Sequence, residues 1–308
     1  MRGGSSDGSM AGLIRKALEL RAPLAAETDA FRVVDGAADG IPGCEIDAFG
    51  DRWLVQTRGQ PPSDEFCAAL LAAGARSVYW KRLDQSEKSA PEHLAGSPVD
   101  GLFEVREHGL RFGIDFAAGY SQGLFLDQRS NRALLGKWLA GRPGGTVANC
   151  FAYTCSFGVV AAAAGADTVN IDLSRRTLEW GRENYRRNGL DPQTHAFLAG
   201  DVFETLARFG RRDRRFRAVV LDPPTFSRDR KGRVFRVERD LGELVRLAVA
   251  VLEPAGVLLV SSNMRALAPH AFRREVRAGA GPGARLRDLS MPPDFRGEAY
   301  LKAAWVER

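Results

Sequence analysis

Cysteine and histidine are scarce in this 308-residue chain, with four of each. The cysteines, Cys44, Cys67, Cys150 and Cys155, lack the paired spacing of a zinc site, and the histidines are scattered, so no metal is expected. Without a secretion signal they are expected as reduced thiols, and the protein as cytoplasmic. No apolar run approaches the roughly 18 residues that cross a bilayer. The first ten residues, MRGGSSDGSM, lack the apolar centre of a signal peptide and read as a flexible tail or an added segment. Also missing is a G-x-G-x-x-G turn, which brings backbone amides onto a pyrophosphate. That absence argues against a nicotinamide cofactor.

What is present is an ordinary globular composition, 44% hydrophobic and 27% charged, long enough for two domains. Residues 145–224 organise the rest. Thr146-Val147-Ala148 reads as a buried strand, residues 149–156 as a loop without glycine, and residues 157–164 as a helix of small residues that can lie close to a sheet. A second strand ends at Asp172, a third (195–198) runs into Gly200-Asp201, and a fourth (217–221) runs into Asp222-Pro223-Pro224-Thr225-Phe226. These polar ends fall where open parallel sheets place ligands, and an acidic residue about 20 positions past the first turn is placed to bond a ribose diol. A cofactor with a ribose and no pyrophosphate fits, which points to S-adenosylmethionine (SAM). The bland alternative is one more doubly wound sheet with acidic strand ends.

The net charge is +6, and its distribution favours an anionic partner. Residues 228–239 read RDRKGRVFRVER directly after the Asp222 segment. Arg228, Arg230, Lys231 and Arg233 are therefore candidate RNA-phosphate contacts on a mobile loop. A solvated face is the alternative, and the one favoured for RRDRRFR at 211–217.

The runs FAYTCSFGVVAAAAGA, NIDLSRRTLEWGRENYRRNGL, AGDVFETL and LDPPTFS, with GLFLDQRSNRALL upstream, resemble the class I SAM-dependent methyltransferases of 23S ribosomal RNA, the cytosine-5 and guanine-N7 enzymes. The resemblance covers residue 28 to the end. It implies an α/β fold: a Rossmann-like, mostly parallel sheet with an antiparallel last strand, preceded by a small mixed α/β domain that helps to seat RNA. The domain expectation is a tail or short helix at 1–22, an α+β domain at 23–101 and the methyltransferase domain at 102–308. Nothing resembles the separate RNA-binding module that such enzymes commonly carry before these domains. The implied cofactor residues are Arg129, Phe151, Ala152, Tyr153, Thr154, Asp172, Leu173, Asp201, Val202 and Asp222. Arg129 would approach the methionine carboxylate, or form a helix-terminal ion pair instead. Asp201 would bond the adenine amino group, cap a helix, or do both. Ser121-Gln122 stands where many relatives have Lys-Thr.

The segment Asp222-Pro223-Pro224-Thr225-Phe226, with Asn263, is the expected catalytic group. Two prolines fix φ and remove two donors, leaving carbonyl oxygens for a base edge, and Phe226 could stack on a flipped base. A plain rigid turn is the alternative. Attack at cytosine C5 needs a cysteine thiolate, yet no cysteine follows the fourth strand, and Cys150 and Cys155 read as packing residues. Guanine N7 needs only its lone pair, aligned with the methyl group. Guanine-N7 methylation of 23S ribosomal RNA is therefore the expectation; cytosine-5 methylation and a small-molecule methyltransferase are the alternatives. The oligomeric state stays open, a homodimer included.

Overall fold

The computed structural model describes residues 8–85, 89–142, 144–228 and 234–308. The contacts divide the chain into two units, 1–126 with 292–298, and 127–291 with 299–308.

The first unit opens with α1 (Met10–Arg21), whose N-cap Ser9 accepts from the Gly12 amide. Five strands follow in sequence order: β1 (Ala30–Asp35), β2 (Cys44–Phe49), β3 (Arg52–Thr57), β4 (Ser77–Arg82) and β5 (Glu92–Gly96). Only β3 and β4 pair in parallel, which the intervening helix α2 (Asp64–Ala72) permits. Ile14 and Ala17 of α1 are buried in the same core as Val34, Ile46, Val55 and Leu70, so residues 10–21 belong to this unit and are not a separate tail. A hairpin, β6 (Phe103–Glu107) and β7 (Leu110–Ile114), joins them: the Asp29 amide donates to the Arg106 carbonyl, and the Asp29 carboxylate accepts from the Arg106 amide. The contacts thus group residues 102–126 with the first unit. Residues 292–298 return here because charge holds them. Arg32 N donates to the Asp294 carboxylate, Arg21 to the Asp294 carbonyl and Arg296 to Asp39.

The second unit contains α3 (Arg129–Ala140), β8 (Thr146–Cys150), α4 (Ser156–Ala163), β9 (Asp167–Asp172), α5 (Arg175–Arg187), β10 (Ala196–Ala199), α6 (Val202–Arg211) and β11 (Phe216–Leu221). The short pair β12 (Phe226–Arg228) and β13 (Val234–Arg236) precedes α7 (Val237–Ala250), β14 (Leu252–Ser262), α8 (Pro269–Ala280), β15 (Arg285–Leu289) and β16 (Lys302–Glu307). The seven-stranded sheet has the order β10-β9-β8-β11-β14-β16-β15. Its first five strands are parallel, and β16 runs antiparallel to β14 and β15. This is the expected Rossmann-like α/β sheet.

Alternation along the strands explains its two covered faces. Ala148, Val219, Leu221, Leu258 and Val260 share one core with Leu206, Leu244 and Phe272 of α6, α7 and α8. Their neighbours Val147, Ala218, Val220, Val257 and Leu259 point the other way, onto Leu135 of α3 and Phe157 and Ala161 of α4. Strands buried on both sides read as continuous apolar runs, which is why they were legible. The edge strands β5 and β15 carry exposed residues and were not read from the sequence. Helix α7 ends at Ala250, and Leu252 already opens β14.

Candidate active site

Register brings the strand ends into one row. Cys150 pairs with Ile171 and Leu221, Asp172 with Ala199, and Leu221 with Val260. The residues that follow, Phe151, Asp172 to Leu173, Gly200-Asp201, Asp222 and Ser261, therefore line one edge of the sheet. The strand order reverses between β8 and β11, the crevice where open sheets bind ligands.

The loop after β8 is built without glycine but with three left-handed residues. Phe151, Tyr153 and Cys155 have φ of 58°, 48° and 63°. Each costs conformational energy that the surroundings must offset. Asp172 supplies part of it: Oδ2 accepts from the Tyr153 amide at 2.9 Å, and Oδ1 from the Ser174 amide at 2.8 Å. Buried Asn184 donates to the Thr154 carbonyl at 2.9 Å. Gly181 lets α5 press onto the loop, since a β-carbon there would lie 2.4 Å from Cys155 Sγ. Thr154 and Ala152 are buried, while Phe151, Tyr153 and Leu173 are half-buried. Asp201 caps α6, its Oδ1 accepting from the Glu204 amide at 2.8 Å. Val202 and Phe203 turn into the core, where Phe203 meets Phe235. Arg129, in the first turn of α3, is buried to 1% exposure.

Asp222 lies at the centre of a polar network. Its Oδ1 accepts from Ser261 Oγ at 2.6 Å and from Gln128 Nε2 at 2.7 Å. Gln128 Nε2 also donates to Ser261 Oγ at 3.0 Å, and Gln128 Oε1 accepts from Asn131 Nδ2 at 2.6 Å. Burial is the largest influence on Asp222 and, with nearby Asp127, pushes its carboxyl up to about 6; the Ser261 and Gln128 hydrogen bonds and Arg132 pull the other way. Pro223 is buried, and Pro224 and Thr225 are exposed. Thr225 Oγ1 donates to Oδ1 of exposed Asn263 at 3.3 Å. By resemblance Gln128 belongs to a segment, residues 126–129, that caps the cofactor pocket, and Ser261 to the end of the fifth strand; their meeting with Asp222 was not legible, because it depends on contacts between segments 94 and 39 residues apart.

The described residues on either side of 229–233 pair as strands. Phe226 pairs with Arg236 and Arg228 with Val234 in an antiparallel ladder. Phe235 anchors it, buried between the Phe151 and Phe203 rings at 6.0 and 5.7 Å. Arg230, Lys231 and Arg233 lie outside the described residues, as do the side chains of Phe226 and Arg228.

All four cysteines are buried, and burial raises the Cys150 and Cys155 thiols far above their ordinary range. Among the described residues, no cluster of His, Cys, Asp and Glu could hold a metal ion, and no helix is long and apolar enough to cross a membrane.

The groups at this edge suit a donor-rich ligand better than a diphosphate. Asp172 and Asp201 are acceptors at successive strand ends, and Asp201 Oδ2 has no partner among the described residues. Hydroxyl and amino groups would meet them favourably; phosphate oxygens would be repelled.

The profile of the S-adenosylmethionine-dependent methyltransferase family matches residues 65–304. A ribosomal RNA large subunit methyltransferase I from Shewanella denitrificans is 31% identical over 263 residues, 81% of this chain and 64% of that protein. The protein of the same name from Klebsiella pneumoniae is 30% identical over 280 residues, 87% of this chain and 68% of that one. The chain thus spans about two thirds of these relatives' lengths. Among solved structures, a protein described as a methyltransferase and crystallised with S-adenosylhomocysteine (SAH) superposes with a TM-score of 0.86 at 27% identity, over 97% of this chain and 81% of that one. A SAM-dependent methyltransferase from Streptococcus mutans gives 0.84 at 26%, with the same coverage.

Proposed function

Because the chain belongs to the S-adenosylmethionine-dependent methyltransferase family, we propose that this SAM-dependent enzyme methylates a base of large-subunit ribosomal RNA, with guanine N7 as the acceptor atom. The RNA class rests on the relatives named as ribosomal RNA large subunit methyltransferases and on the basic residues Arg228, Arg230, Lys231 and Arg233 after Asp222.

The observation that carries the choice of atom is the burial of every cysteine. Methylation at cytosine C5 proceeds through a thiolate that adds to C6. Cys150 and Cys155 have no exposure, and their raised pKa values keep them protonated at neutral pH. Methylation at guanine N7 uses a lone pair already on the base, so positioning suffices and no residue must remove a proton from N7.

The bound cofactor supplies an electrophilic methyl group on a sulfonium. Asp172 and Asp201 would hold its ribose and adenine, with Arg129, Phe151, Ala152, Tyr153, Thr154, Leu173 and Val202 around it. Asp222 accepts a donor of the base. Pro223 and Pro224 present carbonyls without competing N–H groups, and Phe226 and Asn263 complete the base contact.

Mass-spectrometric nucleoside analysis of total RNA from cells with and without this gene tests the reading. Loss of 7-methylguanosine at one large-subunit position is expected. Loss of 5-methylcytidine would overturn the choice of atom, and an unchanged RNA would move the reading to a small-molecule acceptor.

A further inference from the structure

The polar network around Asp222 is asymmetric. Both of its donors, Ser261 Oγ and Gln128 Nε2, reach the same oxygen, Oδ1. Oδ2 has no donor among the described residues, and Asp222 keeps partial exposure although Gln128 and Ser261 are buried to 2% and 0%. Every proton in this arrangement is assigned by the carboxylate. The carboxylate demands a donor from Gln128, so the Gln128 amide nitrogen faces Asp222 and its carbonyl faces away. That carbonyl then demands a donor from Asn131, which supplies Nδ2 at 2.6 Å. Ser261 takes the second Gln128 N–H and gives its own proton to Asp222. Gln128 uses both amide protons and its carbonyl, an arrangement that fixes its rotamer as well as that of Asp222.

We propose that Gln128, which immediately precedes α3, is a positioning residue for methyl transfer. With Ser261 it locks Asp222 Oδ1 and leaves Oδ2 to accept one N–H of the acceptor base. The proposal rests on the reading that Asp222 holds the acceptor, and it adds a chemical requirement: the base must present an amino or imino N–H to a single carboxylate oxygen. Glutamine is required for reach and for two donors on one planar group. A leucine fills the volume with no donor, and a glutamate sets a second carboxyl against Asp222. The charged groups that bear on Asp222 are Asp127 and Arg132, which flank Gln128 in sequence, so Gln128 also decides how strongly burial disfavours the ionised form.

The test uses the full chain with [13Cγ]aspartate. The Asp222 signal is assigned by its loss in Asp222→Asn and titrated in wild type and in Gln128→Leu, with Ser261→Ala as a second variant should Gln128→Leu not fold. Methylation of an unmodified large-subunit ribosomal RNA transcript by tritiated SAM is measured in parallel, and SAH binding by calorimetry. We expect the Asp222 titration to move to higher pH in both variants. The kcat of Gln128→Leu should fall at least about tenfold at pH 6.5 and less at pH 8.5, with the Kd for SAH within about threefold of wild type. An Asp222 midpoint that stays at its wild-type position overturns the positioning role, as does a loss of kcat that is uniform with pH. The reading beneath it fails separately: if Asp222→Asn methylates the transcript as fast as wild type while Gln128→Leu still moves the midpoint, the network exists but Asp222 does not hold the acceptor. A transcript left unmethylated by wild type overturns the substrate, and the titration then decides the role of Gln128 alone.

Discussion

Burial raises the Asp222 carboxyl from its ordinary value of 3.8 to about 6, which makes this residue a liability for the fold at neutral pH. A carboxyl with a raised folded pKa stabilises the protein while protonated. That contribution is fully present below about pH 3.8 and is lost as pH rises through about 6. Relative to a neutral group of the same shape, ionised Asp222 costs on the order of 2–3 kcal/mol at pH 7.5. Asparagine keeps an oxygen that can accept from both Gln128 and Ser261 and carries no charge. Asp222→Asn should therefore melt above wild type at pH 7.5, with the difference shrinking as pH is lowered to 5. The same variant should lose methyl transfer, because its outward nitrogen is a donor where the base needs an acceptor. Thermal unfolding at the two pH values, read beside transfer to the RNA transcript, checks both halves. A variant that is stabilised but fully active would separate the buried charge from the chemistry.

At the scale of elements, α4 lies against the sheet through one glycine. A β-carbon on Gly158 would stand 2.1 Å from Asn170 Oδ1 and 2.6 Å from Tyr185 Oη. Those atoms belong to a buried set in which Asn149 donates to Asn170, Asn170 to Tyr185, and Thr168 shares a proton with Tyr185. Gly158→Ala must displace hydrogen-bonded groups, not merely an apolar neighbour, and should cost about 1–3 kcal/mol or more. Adding Asn170→Ala removes the nearest obstacle, so the double variant should lose less than the sum of the two single changes, measured by urea unfolding. Strict additivity would mean that the helix shifts instead of clashing. This network also marks the limit of what the sequence tells. The alanine-rich composition of residues 157–164 announces a helix that can sit close to a sheet, and the polar strand ends announce a ligand edge. Gly158 reads there only as the first glycine after the turn, because its neighbours Asn170 and Tyr185 come from two other elements. For the same reason Asp222-Pro223-Pro224 was visible as a motif, while its hydrogen bonds to Gln128 and Ser261 were not. The three left-handed residues of the loop were also hidden, since Phe, Tyr and Cys carry no local signal for positive φ.

Over the whole chain the charge is +6, and each unit holds many of its charges in internal pairs. Arg32 is shared by Asp35, Glu45 and Asp47, and Arg21 and Arg296 both meet Asp39, whose carboxyl is held below the ordinary range by these hydrogen bonds against the opposing effect of burial. On α5, Arg182 pairs with Glu179 and Arg186 with Glu183. Net charge alone therefore overstates what is available to a polyanion, and the useful quantity is the number of phosphates engaged at the proposed interface. If Arg228, Arg230, Lys231 and Arg233 each neutralise one phosphate, replacing all four by glutamine should flatten the slope of log K against log salt by roughly 3, at about 0.7–0.9 per phosphate. The replacement leaves Asp172 and Asp201 untouched, so SAH binding should stay at its wild-type level. Filter binding of the large-subunit transcript from low to moderate salt, beside calorimetry with SAH, provides the measurement. A slope equal to that of wild type would assign these four side chains to solvent, and RNA affinity would then have to come from other cations of the chain, whose replacement in turn would change the slope.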